Sequence, residues 1–172
     1  MRPRPVSTSN NPATLSWRDL RDPRTLLATG FGTGFVPAAP GTVGSLLGTA
    51  IWWFVFADLD FLMRTASAFA VFFFGVLIVE AVVKRHNLGD EPAIVLDEIV
   101  GVWFALLFVP KSLPWVAAAF ILFRIADIAK PWPVSWIDTR YAGGLGIMAD
   151  DLIAGLMAAA VVSIAWLVLG PG

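Results

Sequence analysis

Asp97-Glu98 and Asp150-Asp151 are two pairs of adjacent carboxylates in an otherwise largely apolar chain, and Arg124, Asp127 and Lys130 form a third charged group. Carboxylates in such surroundings are costly unless they are paired, solvated or bound to a cation. A helix N-terminus favours an acidic residue, but one cap needs only one acid, and two side by side repel. If the helix ends converge, Asp97, Glu98, Asp127, Asp150 and Asp151 bring up to five negative charges together. A hard divalent cation is the usual way to hold such a cluster, and oxygen-only ligation suits Mg²⁺ or Mn²⁺ better than Zn²⁺. Arg124, Asp127 and Lys130 are spaced by three, so on a helix they share a face, and Pro131 stops or kinks that helix. Taken alone, the trio is equally a surface salt-bridge ladder.

A fourth patch, Pro40-Gly41-Thr42-Val43-Gly44-Ser45, supplies glycines, two hydroxyls and the start of a helix. Backbone N–H groups and the helix dipole there make an anion pocket, with Thr42 and Ser45 as side-chain donors. Gly30-x-Gly32-x-Gly34 lies upstream, but no lysine follows to make a nucleotide-binding loop. Gly143-Gly144-Leu145-Gly146 permits close backbone approach or a turn. Phosphate and a divalent cation are what the four patches jointly suggest, with Arg124 and Lys130 gripping phosphoryl oxygens. The absence of cysteine removes thiol nucleophiles, disulfides and sulfur-ligated metals. His86 is the single histidine, so no mechanism needing two is possible. Asp58-Leu59-Asp60 imitates a DxD nucleophile motif but reads as a loop on the opposite side from these cations.

The elements that position these residues must be greasy. The 172 residues are 58% hydrophobic and 15% charged, with a mean hydropathy of +0.76. Ordinary soluble domains carry about 25% charge, so the composition points to a membrane protein of one domain. Net charge is −1, too little to recruit nucleic acid. Arg2 and Arg4 precede Pro, Ser, Thr and Asn instead of an apolar signal core, so export is not expected. Residues 1–24 are a polar tail with a short helix at its end, and 25–172 form one helical domain. Five spans are expected, at 45–57, 65–79, 95–109, 115–128 and 152–169, although most are shorter than the ~20 residues of a full crossing. Buried helices of a soluble core are the alternative for runs of that length. With the N-terminus inside, only Arg64 and Lys111 of the twelve basic residues fall in outer loops, as the positive-inside rule prefers. Trp52, Trp53, Trp115, Trp132 and Trp136 near the run ends suit the membrane interface. The expected architecture is thus an all-α integral membrane protein of about four to five apolar helices. Its motif-bearing helix ends converge on the cytoplasmic side.

In order and spacing, these motifs resemble the phosphatidylglycerophosphatase A family. The matching stretches are Gly32-Thr33-Gly34 with Pro40 to Ser45, Val95-Leu96-Asp97-Glu98-Ile99-Val100-Gly101, Phe123-Arg124-Ile125-Ala126-Asp127 with Lys130-Pro131-Trp132-Pro133, and Gly143 to Asp151 with Ala154-Gly155. The resemblance covers about residues 25–160. It implies an Mg²⁺-dependent lipid phosphatase of the bacterial inner membrane that converts phosphatidylglycerophosphate to phosphatidylglycerol and inorganic phosphate, with its active site facing the cytoplasm. On that basis Asp97, Asp127 and Asp151 are the expected catalytic carboxylates. Asp97, Glu98, Asp127, Asp150 and Asp151 are expected to ligate the metal or orient its water, and Thr42, Ser45, Arg124 and Lys130 to bind substrate. A phosphatase for another lipid phosphomonoester, such as phosphatidate, is the nearest alternative. A transporter, for which intramembrane carboxylates and broken helices are typical, is the other.

Overall fold

The structure is a computed structural model that describes residues 14–89 and 91–170; Arg2, Arg4 and Asp90 lie outside the described residues. Every regular element described is helical. They are α1 (Pro23–Ala28), α2 (Pro40–Ile51), α3 (Phe61–His86), α4 (Leu96–Ala105), α5 (Leu113–Ala129), α6 (Val134–Arg140) and α7 (Gly143–Leu169). A 3₁₀ turn, Trp17–Arg21, precedes α1 and another, Thr33–Phe35, follows it, while α2 runs on through a π-helical turn, Trp52–Phe56.

The helix α4 is the centre of the bundle, packed against α2, α3, α5 and α7. Every one of its residues is buried except the half-buried pair Asp97 and Glu98 in its first turn. Close approach is achieved with glycine. Gly41, Gly44 and Gly48 fall on one buried stripe of α2, and a Cβ at Gly48 would lie 2.7 Å from the Ile99 carbonyl oxygen. The Gly48 carbonyl accepts from the Trp103 indole N–H at 2.8 Å, which fixes the register of α2 on α4. Across the bundle, a Cβ at Gly155 of α7 would stand 2.3 Å from the Gly101 carbonyl oxygen. Small residues at helix crossings are the usual device where lipid, rather than water, surrounds a bundle.

Of the five expected spans, 65–79 and 152–169 lie within α3 and α7, the two helices here long and apolar enough to cross a membrane. At 26 and 27 residues they extend about 39–40 Å, against a hydrocarbon thickness of ~30 Å. The stretches 45–57 and 115–128 fall in shorter helices, and 95–109 takes in α4 and the turn after it; the ten-residue α4 reaches only ~15 Å. The helices alternate in direction, so the starts of α2, α4 and α7 meet the ends of α3 and α5 at one end of the bundle. At the other end the Arg64 guanidinium donates to the carbonyls of Leu107, Ala57 and Leu59 at 3.1–3.2 Å and lies over the Trp52 ring. Asp60 caps α3 by accepting from the Met63 N–H, and Asp58 pairs with Lys111. The Asp58-Leu59-Asp60 segment is therefore a loop and a cap, distant from the acidic pairs.

The N-terminal segment docks onto the first end. Leu15 is buried, and its N–H donates to Glu91 at 3.0 Å. Asp22 pairs with Arg85 at 3.0 Å, and the Val95 N–H donates to the Ala28 carbonyl at 2.9 Å. These ties hold the connection before α4, and hence Asp97 and Glu98, in place.

Candidate active site

Where the helix ends meet, an open cleft of about 820 Å³ is lined by Pro40, Gly41, Thr42, Asp97, Glu98, Arg124, Asp127, Lys130, Asp150 and Asp151, among others. All but one of the residues expected from sequence line it. The exception is Ser45, buried one turn behind: its hydroxyl donates to the Gly41 carbonyl at 2.8 Å and accepts from Arg124 Nη1 at 3.2 Å. Ser45 therefore supports Arg124 from behind the cleft wall. Glycine at position 41 leaves room for these side chains, since a Cβ there would sit 2.0 Å from Glu98 Oε1 and displace it. The start of α2 thereby comes up against the acidic residues.

The five carboxylates divide into two sets. Asp97, Glu98 and Asp151 converge, with one oxygen from each within 4.8 Å of the others. Asp97 Oδ1, Glu98 Oε2 and Asp151 Oδ2 are buried without a hydrogen-bond partner. Asp127 and Asp150 are instead paired with cations: Asp127 Oδ2 meets Arg124 Nη1 at 2.5 Å, and Asp150 Oδ2 accepts from Lys130 Nζ at 2.9 Å. Arg124 also reaches Glu98 Oε1 at 3.9 Å, so its single charge is shared.

A magnitude shows what the converging trio requires. Two unit charges 4.8 Å apart repel by about 3.5 kcal/mol at an effective dielectric of 20. With all three ionised, three such pairs total roughly 10 kcal/mol, comparable to the entire 5–15 kcal/mol stability of a domain. One shared guanidinium does not offset that. Three oxygen donors with orphaned lone pairs fit a hard divalent cation, and the trio can hold one.

The position of Asp150-Asp151 differs from the sequence expectation. The pair was expected at a helix start, but α7 begins seven residues earlier, at Gly143. The glycines there do not form a loop. A Cβ at Gly144 would lie 2.5 Å from both the Val76 carbonyl oxygen and the Glu80 backbone N, and the Gly144 N–H donates to Glu80 Oε2 at 2.6 Å. Glycine thus lets α7 start hard against α3, and Glu80 caps it. Asp150 and Asp151 are carried two turns inside the helix, where both are buried.

Lys130 follows α5 in a left-handed conformation, φ +42°. That turn swings it off the helical face expected to carry it with Arg124 and Asp127, and towards Asp138 and Asp150. Burial alone would lower its pKa, but the hydrogen bonds to Asp138 and Asp150 outweigh burial and hold it above the ordinary lysine value. Its positive charge is permanent at neutral pH. Asp138, a lining residue on α6, was missed from sequence: it stands alone, eight residues after Lys130, with no acidic neighbour to mark it. Glu91 and Tyr141 also line the cleft, and Glu91 accepts from the Leu15 and Ala93 N–H groups.

The profile of the family described as Phosphatidylglycerophosphatase A matches residues 26–166. The chain is similar to the Phosphatidylglycerophosphatase A of Escherichia coli (strain K12), 38% identical over 143 residues that cover 83% of each chain. It is similar also to that of Haemophilus influenzae, 40% identical over 159 residues, 90% of this chain and 94% of the other. A Bacteroides thetaiotaomicron protein, provisionally named a phosphatidylinositol-3-phosphatase, is 42% identical over 151 residues, 84% of this chain and 94% of its own. No solved structure matches the chain significantly.

Proposed function

Because the chain belongs to the phosphatidylglycerophosphatase A family and is a phosphomonoester phosphatase, we propose that it hydrolyses phosphatidylglycerophosphate with Mg²⁺ bound by Asp97, Glu98 and Asp151. The observation that carries this reading is the buried, orphaned oxygen on each of these three converging carboxylates. The chemistry a bound Mg²⁺ supplies is positive charge against the phosphoryl oxygens as charge builds there.

The chain's own residues do the rest. Arg124, held by Asp127 and backed by Ser45, presents its guanidinium to the phosphate, and Lys130 offers an ammonium from the facing wall. The Thr42 hydroxyl and the Gly41 backbone N–H at the start of α2, where the Thr42 and Val43 N–H groups are taken by the Ala39 carbonyl, bind a further phosphate oxygen. Asp127 lies outside both the trio and the grip of Lys130, beside Arg124, and it is assigned the proton of the attacking water. Water oxygen bonds to phosphorus, the ester P–O bond breaks, and the departing oxygen takes up a proton. The products are phosphatidylglycerol and inorganic phosphate. Asp150 holds Lys130, the second cation of the cleft.

The same reading puts the protein in the bacterial inner membrane, multi-pass, with the cleft at the cytoplasmic leaflet. Arg64 and Lys111 lie at the end of the bundle remote from the cleft, whereas the other basic residues described flank the cleft end, which is the positive-inside arrangement. The Bacteroides relative favours a second headgroup reading, phosphatidylinositol 3-phosphate. Initial rates of phosphate release from phosphatidylglycerophosphate, phosphatidate and phosphatidylinositol 3-phosphate, in the same detergent with Mg²⁺, discriminate. A kcat/KM at least tenfold higher for phosphatidylglycerophosphate is expected, and equal or reversed values would overturn the headgroup assignment.

A further inference from the structure

Lys130 is gripped at the cleft by two carboxylates from two different helices, Asp138 on α6 and Asp150 on α7. Asp150 is buried, while Asp138 and Lys130 sit partly exposed at the mouth. A lysine carries a point charge on a flexible four-carbon stem and, unlike arginine, has no rigid fork to orient it. With Asp150 alone as partner, the ammonium would follow that carboxylate inward and neutralise it. Asp138 pulls from the rim. Asp138 is itself well fixed: α6 rests on α7, anchored by the buried Val134, whose N–H donates to the Pro131 carbonyl at 2.7 Å. An ammonium has three N–H donors. Two are spent on these carboxylates, which leaves the third for an incoming phosphate oxygen.

We propose that Asp138 is a positioning residue for Lys130, holding its ammonium at the mouth of the cleft between α6 and α7, where it meets the phosphate. This rests on the phosphatase reading of the cleft. The competing role for a carboxylate at that place is to repel or displace the anionic substrate, and the two roles have opposite signs. Positioning means that Asp138→Asn lowers kcat, with little change in KM, because the charge is misplaced on the phosphoryl oxygens as the P–O bond breaks. Competition means that the same change lowers KM and leaves kcat alone.

The test is steady-state kinetics of the full-length protein on phosphatidylglycerophosphate with Mg²⁺, for the wild type, Asp138→Asn, Asp138→Glu, Lys130→Met and the Asp138→Asn/Lys130→Met pair. The expected result is a fall in kcat of about tenfold for Asp138→Asn, with KM within threefold, and recovery of at least part of it in Asp138→Glu. In the Lys130→Met background Asp138→Asn should cost nothing further, since a residue that acts through Lys130 has nothing left to position. A lowered KM at unchanged kcat, unaltered kinetics in Asp138→Asn, or losses that multiply in the double variant would overturn the proposal. A wild type that releases no phosphate would instead sink the phosphatase reading, so the two failures are distinguishable.

Discussion

Three carboxylates with orphaned oxygens within 4.8 Å of one another are expensive to the protein without a cation, and this gives a prediction in which stability and activity move in opposite directions. Asp97→Asn or Asp151→Asn removes one of the mutually repelling charges. In EDTA the variant's unfolding midpoint should rise, by about 2–4 °C for each kcal/mol of repulsion relieved, while phosphate release with Mg²⁺ falls by about 100-fold or more. Thermal unfolding and rate assays on one preparation check both; a lower midpoint in EDTA with activity retained would contradict the metal-site account. Arg124 makes a different prediction. Its guanidinium spans Asp127, Glu98 and Ser45 at once, which an ammonium cannot do. Arg124→Lys should therefore lose about 10-fold or more in kcat/KM, and near-wild-type kinetics would remove Arg124 from the phosphate grip. Most of these residues were legible in the sequence because doubled acids and an i, i+3 pair of opposite charge are uncommon in an apolar chain. How they pair was not. The division into a converging trio and two ion pairs depends on tertiary distances, and Asp138, a lone acid on a seven-residue helix, left no pattern to find.

At the scale of the elements, the glycines decide how near the functional helix ends come. Gly144 against the backbone of α3 and Gly155 against the backbone of α4 meet main-chain atoms that cannot step aside. Gly144→Ala and Gly155→Ala should each destabilise by about 1–3 kcal/mol, as overpacking does. Glu80→Gln, which weakens the cap on the Gly144 N–H and removes its charge from the helix N-terminus, should cost about 1 kcal/mol or less. Thermal unfolding in one detergent orders the three, and a Glu80 variant less stable than both alanine variants would reverse the argument. The start of α7 shows why sequence placed the Asp150-Asp151 pair at the wrong depth. Three glycines within four residues allowed either a turn or a close backbone approach, and local propensity favours the turn. Close packing against α3 stabilises the helix through them. For α4, by contrast, the acidic pair at the helix start was read correctly, because an apolar run follows it at once and nothing upstream competes.

For the molecule as a whole, the helical class was plain from composition, but the count of crossings was not. Runs such as 95–109 are apolar because α4 is buried on every side by protein, and burial in protein and burial in lipid leave the same mark on a sequence. Orientation is testable because the chain has no cysteine. Asp58→Cys, in the loop beside Lys111, should react with a membrane-impermeant maleimide on intact spheroplasts. Arg140→Cys, at the end of α6 beside the cleft, should react only in inverted vesicles. The opposite pattern would place the cleft outside and exclude a substrate at the cytoplasmic leaflet. The central claim, that the acidic trio works as a cation site in lipid phosphate hydrolysis, is tested most directly by one titration. Phosphate release from phosphatidylglycerophosphate by the purified protein is followed as EDTA, and then Mg²⁺ in excess of it, are added. The account predicts that release stops in EDTA and returns with Mg²⁺ in the wild type, but does not return in Asp151→Asn. Release that continues undiminished in EDTA would contradict it.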